Sequence, residues 1–316
     1  MTMIMPLAPT VAQEDFLSLK DYSTEEIIDL LNLAIELKKP ENKHLPLLKG
    51  KVLGMIFEKS STRTRVSFEA GMLQLGGHAM FLSSQDTQLG RGETIADTAR
   101  VLSGYLDGLM IRTFHQSAVE ELAKFSSIPV INGLTDDYHP CQVLADLMTL
   151  IEHFGELKGR KLAYIGDGNN MANSLMIGAA KVGLDIAIAA PKGYEPQAEM
   201  VELAQVIAKD SGSVVTVTHD PVEAVKNSDA IYTDVWASMG QEAEAIKRLN
   251  DFEGFQVNAE LVQHAKADYI FMHCLPAHRE EEVTTDILEG PHSVIFQEAE
   301  NRLHAQKAVL VTLMGD

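Results

Sequence analysis

Short apolar runs rich in β-branched residues alternate with amphipathic stretches of helical length throughout the 316 residues. This alternation constrains the fold more than any other feature. The expected strands are 51–57, 108–112, 128–132, 161–166, 185–190, 214–218, 230–234, 269–274 and 293–296, with helices such as 118–125, 142–154, 172–182 and 196–209 between them. Strand, helix and strand in succession call for parallel pairing with helices on the sheet faces. The expected fold class is α/β, with two doubly wound parallel-sheet domains joined by long helices.

The division is read at 140–154. Pro140 suits a first helical position. Val143, Leu144, Leu147, Leu150 and Ile151 recur at helical spacing, and Gly155 with the polar residues 156–160 follows before a fresh strand. A domain boundary is expected near residue 150. Residues 298–314 read as a terminal helix.

Composition removes several functions. Lys plus Arg is 26 against 45 Asp plus Glu, a formal net charge of −19. Broad nucleic-acid binding needs a basic surface, so no nucleic-acid partner is expected, nor an anionic membrane. No apolar run reaches the roughly 18 residues of a membrane helix. Cys141 and Cys274 cannot build a disulfide framework. No Lys or Arg precedes Lys20, whereas Glu14 and Asp15 do, so neither a secretory nor a transit segment is expected. The expected location is cytoplasmic.

The densest chemical motif is Ser60-Ser61-Thr62-Arg63-Thr64-Arg65, after the first strand and opening a helix whose apolar face is read as Val66, Ala70 and Leu73. Ser61 is a good N-cap. A helix N-terminus presents free N–H groups and the positive dipole end, which suits an oxyanion such as phosphate. Ser61, Thr62 and Thr64 add hydroxyls and Arg63 a fixed charge. The chain holds nine arginines and none precedes Arg63, which weighs against an ordinary solvated cap.

Arg112 stands at the end of the 108–112 strand, the edge where open α/β sheets bind ligands, although a lone Arg there also fits a surface role. His139-Pro140-Cys141-Gln142 opens the long helix. His139 and Gln142 fit either donors to a carbonyl oxygen or a helix-capping pair. Gly166-Asp167-Gly168-Asn169-Asn170 starts like a dinucleotide fingerprint, but Met171 replaces the third glycine and no carboxylate follows the next strand. A tight turn with Asn170 facing a ligand is the better reading. Asp234-Val235-Trp236-Ala237-Ser238-Met239-Gly240 follows a strand and contains the one tryptophan. Its carboxylate suits an amine, and Ser238 with the backbone near Gly240 suits a carboxylate. The bland alternative is a loop around a buried Trp. His273-Cys274-Leu275-Pro276 follows another strand, and no His–Asp arrangement makes Cys274 a nucleophile, so a positioning role is preferred. Arg302, after Glu300-Asn301, fits a surface charge when read alone. No zinc motif is present and no metal is expected. Several of these motifs fall at strand carboxyl ends, whereas independent coincidences would scatter over both sheet edges.

Taken together, these residues resemble the aspartate/ornithine carbamoyltransferase family over about residues 16–314. Ser61-Thr62-Arg63-Thr64-Arg65 is similar to its carbamoyl-phosphate signature, and His139-Pro140-Cys141-Gln142 to its H-P-x-Q element. Asp234 with Ser238-Met239-Gly240, and His273-Cys274-Leu275-Pro276, resemble its ornithine-specific branch.

The resemblance implies transfer of the carbamoyl group of carbamoyl phosphate to the side-chain amine of L-ornithine, giving L-citrulline and phosphate without a cofactor. Ser61, Thr62, Arg63 and Thr64 would hold the phosphate, and Arg112, His139 and Gln142 the carbamoyl group. Gln88, in the 84–88 loop, would come from a neighbouring subunit of a homotrimer. Asn170, Asp234, Ser238 and Met239 would bind the α-amino and α-carboxylate groups. Cys274 and Leu275 would touch carbamoyl phosphate and position the attacking amine, and Arg302 would reach the carbamoyl oxygen. Arg112, His139, Cys274 and Arg302 would form the catalytic set. The terminal helix would return to the first domain, making it residues 1–150 plus 298–316, with 151–297 as the ornithine domain. An amine such as putrescine is the alternative acceptor. An aspartate acceptor would want cations where Asp234 stands. A nucleotide-binding oxidoreductase rests on Gly166 and Gly168 alone.

Overall fold

The strand–helix alternation is realised as two separate parallel sheets in a computed structural model that describes residues 9–84, 88, 91–238 and 242–315. The residues through Met148 and those from Glu300 onward pack as one compact unit, and Thr149–Ala299 as a second.

In the first unit, α1 (Thr24–Lys38) opens with a capping box. The Ser23 hydroxyl accepts from the Glu26 N–H, and the Glu26 carboxylate accepts from the Ser23 N–H, which satisfies two orphan donors reciprocally. There follow β1 (Val52–Phe57), α2 (Thr62–Gln74), β2 (His78–Ser83), α3 (Ile95–Ser103), β3 (Gly108–Arg112), α4 (Gln116–Phe125), β4 (Val130–Leu134) and α5 (Pro140–Phe154). The sheet order is β2-β1-β3-β4, all parallel. Connections leave β1 toward β2 and β3 toward β4, so the order reverses between β1 and β3. A ligand crevice belongs outside the carboxyl ends of such a pair. The Glu58 N–H donates to the Arg112 carbonyl at 2.9 Å across that point.

In the second unit, β5 (Lys161–Ile165), α6 (Asn170–Val182), β6 (Asp185–Ala189), α7 (Ala198–Ser211), β7 (Val215–Thr218), α8 (Pro221–Val225), β8 (Ala230–Thr233), α9 (Ala245–Asp251), α10 (Ala259–Val262), β9 (Ile270–His273), α11 (Thr285–Leu288) and α12 (Ile295–Met314) follow, the last running on into the first unit. The order β7-β6-β5-β8-β9, again all parallel, reverses between β5 and β8. Trp236, Phe252, Phe255 and Phe271 centre one apolar core of this unit. At Gly168 a Cβ would lie 2.1 Å from the Pro196 nitrogen, so only glycine fits that turn.

Three expectations need correction. β2 was not expected. It is an edge strand with exposed His78, Met80 and Phe81, so the alternation that betrays a half-buried strand is missing. Residues 293–296 are not a strand. Bonds at 292–294 to Phe271 extend the β9 edge briefly, and α12 begins at Ile295. The inward face of α2 is Thr64, Phe68, Gly71 and Met72, whereas Val66 is 55% exposed and Leu73 65%. Apolar residues lie on more than one side of α2, and spacing alone did not select the side that packs.

Candidate functional site

In the first unit the polar side chains converge at the β1/β3 switch point. Ser61 caps α2 as expected: its hydroxyl accepts from the Thr64 N–H at 3.2 Å and contacts the Thr64 hydroxyl at 3.1 Å. Thr62 is exposed and Arg63 partly buried in the first turn of α2. Thr64 is buried and accepts from Arg302 Nη2 at 3.0 Å. Arg302 Nη1 donates to Gln142 Oε1 at 2.7 Å, and Gln142 Nε2 donates to Asp146 Oδ1 at 2.8 Å. Two charged neighbours thereby fix which way the Gln142 amide points. The surface reading of Arg302 does not hold: it is buried.

Arg112 and His139 are buried in the same unit. The His139 carbonyl accepts from the Gln142 and Val143 N–H groups, so the residue leads directly into α5. Burial holds the His139 imidazole well below the usual histidine range, and Arg302, Arg112 and Arg63 push it further down. The ring is therefore neutral near pH 7 and can donate a hydrogen bond without carrying charge. Three arginines thus act on one buried imidazole in a chain of net charge −19. Gln88 is exposed, its carbonyl accepting from the Arg91 and Glu93 N–H groups. Residues 85–87 lie outside the described residues.

In the second unit the polar groups meet at the β5/β8 switch point. Asp234 follows β8 and is buried. Its Oδ1 accepts from the Val235 N–H at 2.8 Å and from Cys274 Sγ at 3.1 Å, and its Oδ2 accepts from Asn169 Nδ2 at 2.9 Å. Asn170 is the first residue of α6 and half-buried, as is Ser238 after β8. Met239 and Gly240 lie outside the described residues.

Sequence reasoning missed Asn169. It caps α6 through Oδ1, which accepts from the Met171 and Ala172 N–H groups, while its amide nitrogen ties Asp234 to the β5 turn. The Asn directly before the helix was the available signal.

The turn after β9 is set by His273, which is buried. Its Nδ1 accepts from the Leu275 N–H at 2.9 Å, so Nε2 carries the proton and donates to Glu282 Oε1 at 3.1 Å. Glu298 Oε2 accepts from the His273 N–H at 2.9 Å. Leu275 sits in the left-handed region, at φ +56°, with Cys274 beside Asp234. Asp234, His273 and Cys274 bring possible ligand atoms within 4.8 Å of one another, a grouping that sequence spacing did not suggest. Both imidazole nitrogens are committed to the protein, so the donor set does not fit a metal ion.

The chain matches two family models: aspartate/ornithine carbamoyltransferase, carbamoyl-P binding domain, over residues 14–152, and aspartate/ornithine carbamoyltransferase, Asp/Orn binding domain, over residues 158–313. It is 64% identical over 304 residues to an ornithine carbamoyltransferase of Anoxybacillus flavithermus, covering 95% of this chain and 96% of the relative. Among solved structures, an ornithine carbamoyltransferase from Pyrococcus furiosus superposes with a TM-score of 0.92 at 57% identity, covering 95% of this chain and 96% of that one. An anabolic ornithine carbamoyltransferase from Campylobacter jejuni does so with a TM-score of 0.90 at 46% identity, covering 95% and 99%. With both family models matched in order along nearly the whole chain, the chain belongs to the aspartate/ornithine carbamoyltransferase family.

Proposed function

We propose that this chain transfers the carbamoyl group of carbamoyl phosphate to the side-chain amine of L-ornithine, releasing L-citrulline and phosphate. The observation that carries the reading is the buried Arg302, which reaches both Thr64 at the α2 N-terminus and Gln142 in α5. The relatives at 64% and 57% identity bear the name ornithine carbamoyltransferase, which supports ornithine as the acceptor.

The residue types suit the steps. Carbamoyl phosphate binds to residues 1–150 and 298–316, its phosphate taken by Ser61, Thr62, Arg63, Thr64 and the α2 N-terminus, where anions are favoured. Gln88 of a neighbouring copy completes the phosphate contacts. Ornithine binds to residues 151–297: Asp234 and Asn170 take the α-amino group, and Ser238 and Met239 the α-carboxylate. Cys274 and Leu275 guide the side-chain amine, whose solution pKa is near the lysine value of about 10.4 and which must attack as the neutral form. As its nitrogen bonds to the carbamoyl carbon, negative charge grows on the carbamoyl oxygen. Thr64, Arg112, His139 and Arg302 are donors suited to that charge, and each preorganised donor of this kind is worth about 2.7–4 kcal/mol. The C–O bond to phosphate then breaks, the nitrogen passes its extra proton to the departing phosphate, and Arg63 stabilises that anion.

The chain acts in arginine metabolism, in the cytoplasm, as a homotrimer. No described helix is long and apolar enough to cross a membrane. Val66, Leu73, Met80 and Phe81 are exposed on α2 and β2, and Gln88 follows β2. Such an apolar face supports burial against another copy. Incubation with carbamoyl phosphate and ornithine tests the reaction: one phosphate must appear per citrulline, and no ureido product would refute it.

A further inference from the structure

The turn at residues 167–169 after β5, which leads into Asn170, and residues 234–236 after β8, which begin with Asp234, flank the β5/β8 switch point. A side chain from a third element is tied to both. Arg248, the buried residue of α9, donates from Nη1 to Asp167 Oδ2 at 2.8 Å and to the Trp236 carbonyl at 2.8 Å. Its Nε donates to Glu244 Oε2 at 3.2 Å. Arg248 and Asp167 are 6% and 7% exposed. The guanidinium carbon lies 4.9 Å from the centroid of the Tyr194 ring, and the Tyr194 carbonyl accepts from the Gly168 N–H at 2.7 Å, in the same turn as Asp167.

An ion pair buried to this degree is a poor device for stability alone, because two desolvated charges roughly cancel their own attraction. Burial pushes the Asp167 carboxyl up, and Arg248 opposes that shift. What the pair does achieve is geometry. Asp167 stands two residues before Asn169, whose amide holds Asp234 Oδ2, and Trp236 stands two residues after Asp234. Arg248 therefore grips both chains that deliver the Asn169–Asp234 contact.

We infer that the Arg248–Asp167 pair is a positioning device for the amino-acid acceptor, acting through Asn169 and the Trp236 carbonyl to hold Asp234. The inference rests on the proposed ornithine reading of Asp234. Neither residue of the pair touches a reacting atom. Arg248 Nη1 serves the Asp167 carboxylate and the Trp236 carbonyl while Nε serves Glu244, three acceptors on one rigid planar group that the single nitrogen of a lysine does not reproduce.

The test uses the full chain with Asp167→Asn and Arg248→Lys. KM for ornithine, kcat at saturating ornithine and the calorimetric Kd for carbamoyl phosphate are measured together. The ornithine-induced change in emission is followed at Trp236, the one tryptophan of the chain. The expected result is an ornithine KM raised about 10- to 100-fold, with a smaller change in kcat, an unchanged carbamoyl-phosphate Kd and an altered Trp236 response. An unchanged ornithine KM, or an equal weakening of carbamoyl phosphate, overturns the inference. Loss of the folded far-ultraviolet signal in both variants would make the pair a folding element and also overturn it. An unaltered chain that makes no citrulline would overturn the functional reading, and the inference with it.

Discussion

Arg302 and Thr64 are 238 positions apart in sequence, yet Arg302 Nη2 donates to Thr64 Oγ1 at 3.0 Å, and both side chains are buried. The contact joins α12 to the first turn of α2, where Ser61 caps the helix. It is the relationship on which the carbamoyl-phosphate assignment turns. Arg302→Ala is expected to lower kcat/KM by about 10²–10³, the usual consequence of losing one transition-state donor. Steady-state kinetics on the folded variant check this, and a change of less than two-fold, roughly 0.4 kcal/mol, would remove Arg302 from the site.

Arg63 is partly buried in the first turn of α2. Arg63→Ala should abolish turnover and carbamoyl-phosphate binding while the thermal midpoint stays near that of the unaltered chain. Calorimetric titration with carbamoyl phosphate measures the loss directly.

Asp234 accepts from Asn169, Val235 and Cys274 and belongs to the proposed ornithine groups. Asp234→Ala is expected to damage ornithine use chiefly, raising its KM while carbamoyl-phosphate binding persists. Weakening of carbamoyl phosphate alone would mean that the turn after β8 has been misassigned.

How much of this was legible in the sequence follows from how local each signal is. Ser61 was readable because a cap and a helix start share one short segment. The α/β class was readable from strand–helix alternation. β2 was not, since His78, Met80 and Phe81 are exposed on an edge and break the apolar pattern. Val66 and Leu73 were misjudged because exposed apolar residues look like core residues until the packing side of α2 is known. Arg248 left no trace at all: its partner Asp167 is 81 positions away, and a buried ion pair has no local spacing.

Stability should depend on pH through His304 in α12. Burial lowers its imidazole from the usual value to about 4, with Lys307 and Lys38 adding to the shift. Between pH 6.5 and about 4 the unfolded chain binds a proton there that the folded chain does not. Stability is therefore lost as pH falls through that window. The urea midpoint should drop from pH 7 to pH 5, and His304→Gln should shrink that drop. An equal drop in the variant would assign the acid sensitivity to other groups.

Gly168 tests the turn after β5. A methyl group there would overlap the Pro196 nitrogen. Gly168→Ala should cost about 1–3 kcal/mol, typical of forced overpacking, read as a lower thermal midpoint. A midpoint unchanged from the unaltered chain would show that the turn yields freely.

The identity of the acceptor is open to a competition among amines. Carbamoyl phosphate is offered with L-ornithine, putrescine or L-aspartate separately, and kcat/KM for the carbamoylated product is determined for each. Putrescine lacks the α-carboxylate proposed to meet Ser238 and Met239, and aspartate brings a second anion toward Asp234. Ornithine is expected to exceed both by orders of magnitude, because groups built to bond an absent partner are left unsatisfied. Comparable or faster carbamoylation of putrescine or aspartate would contradict that expectation.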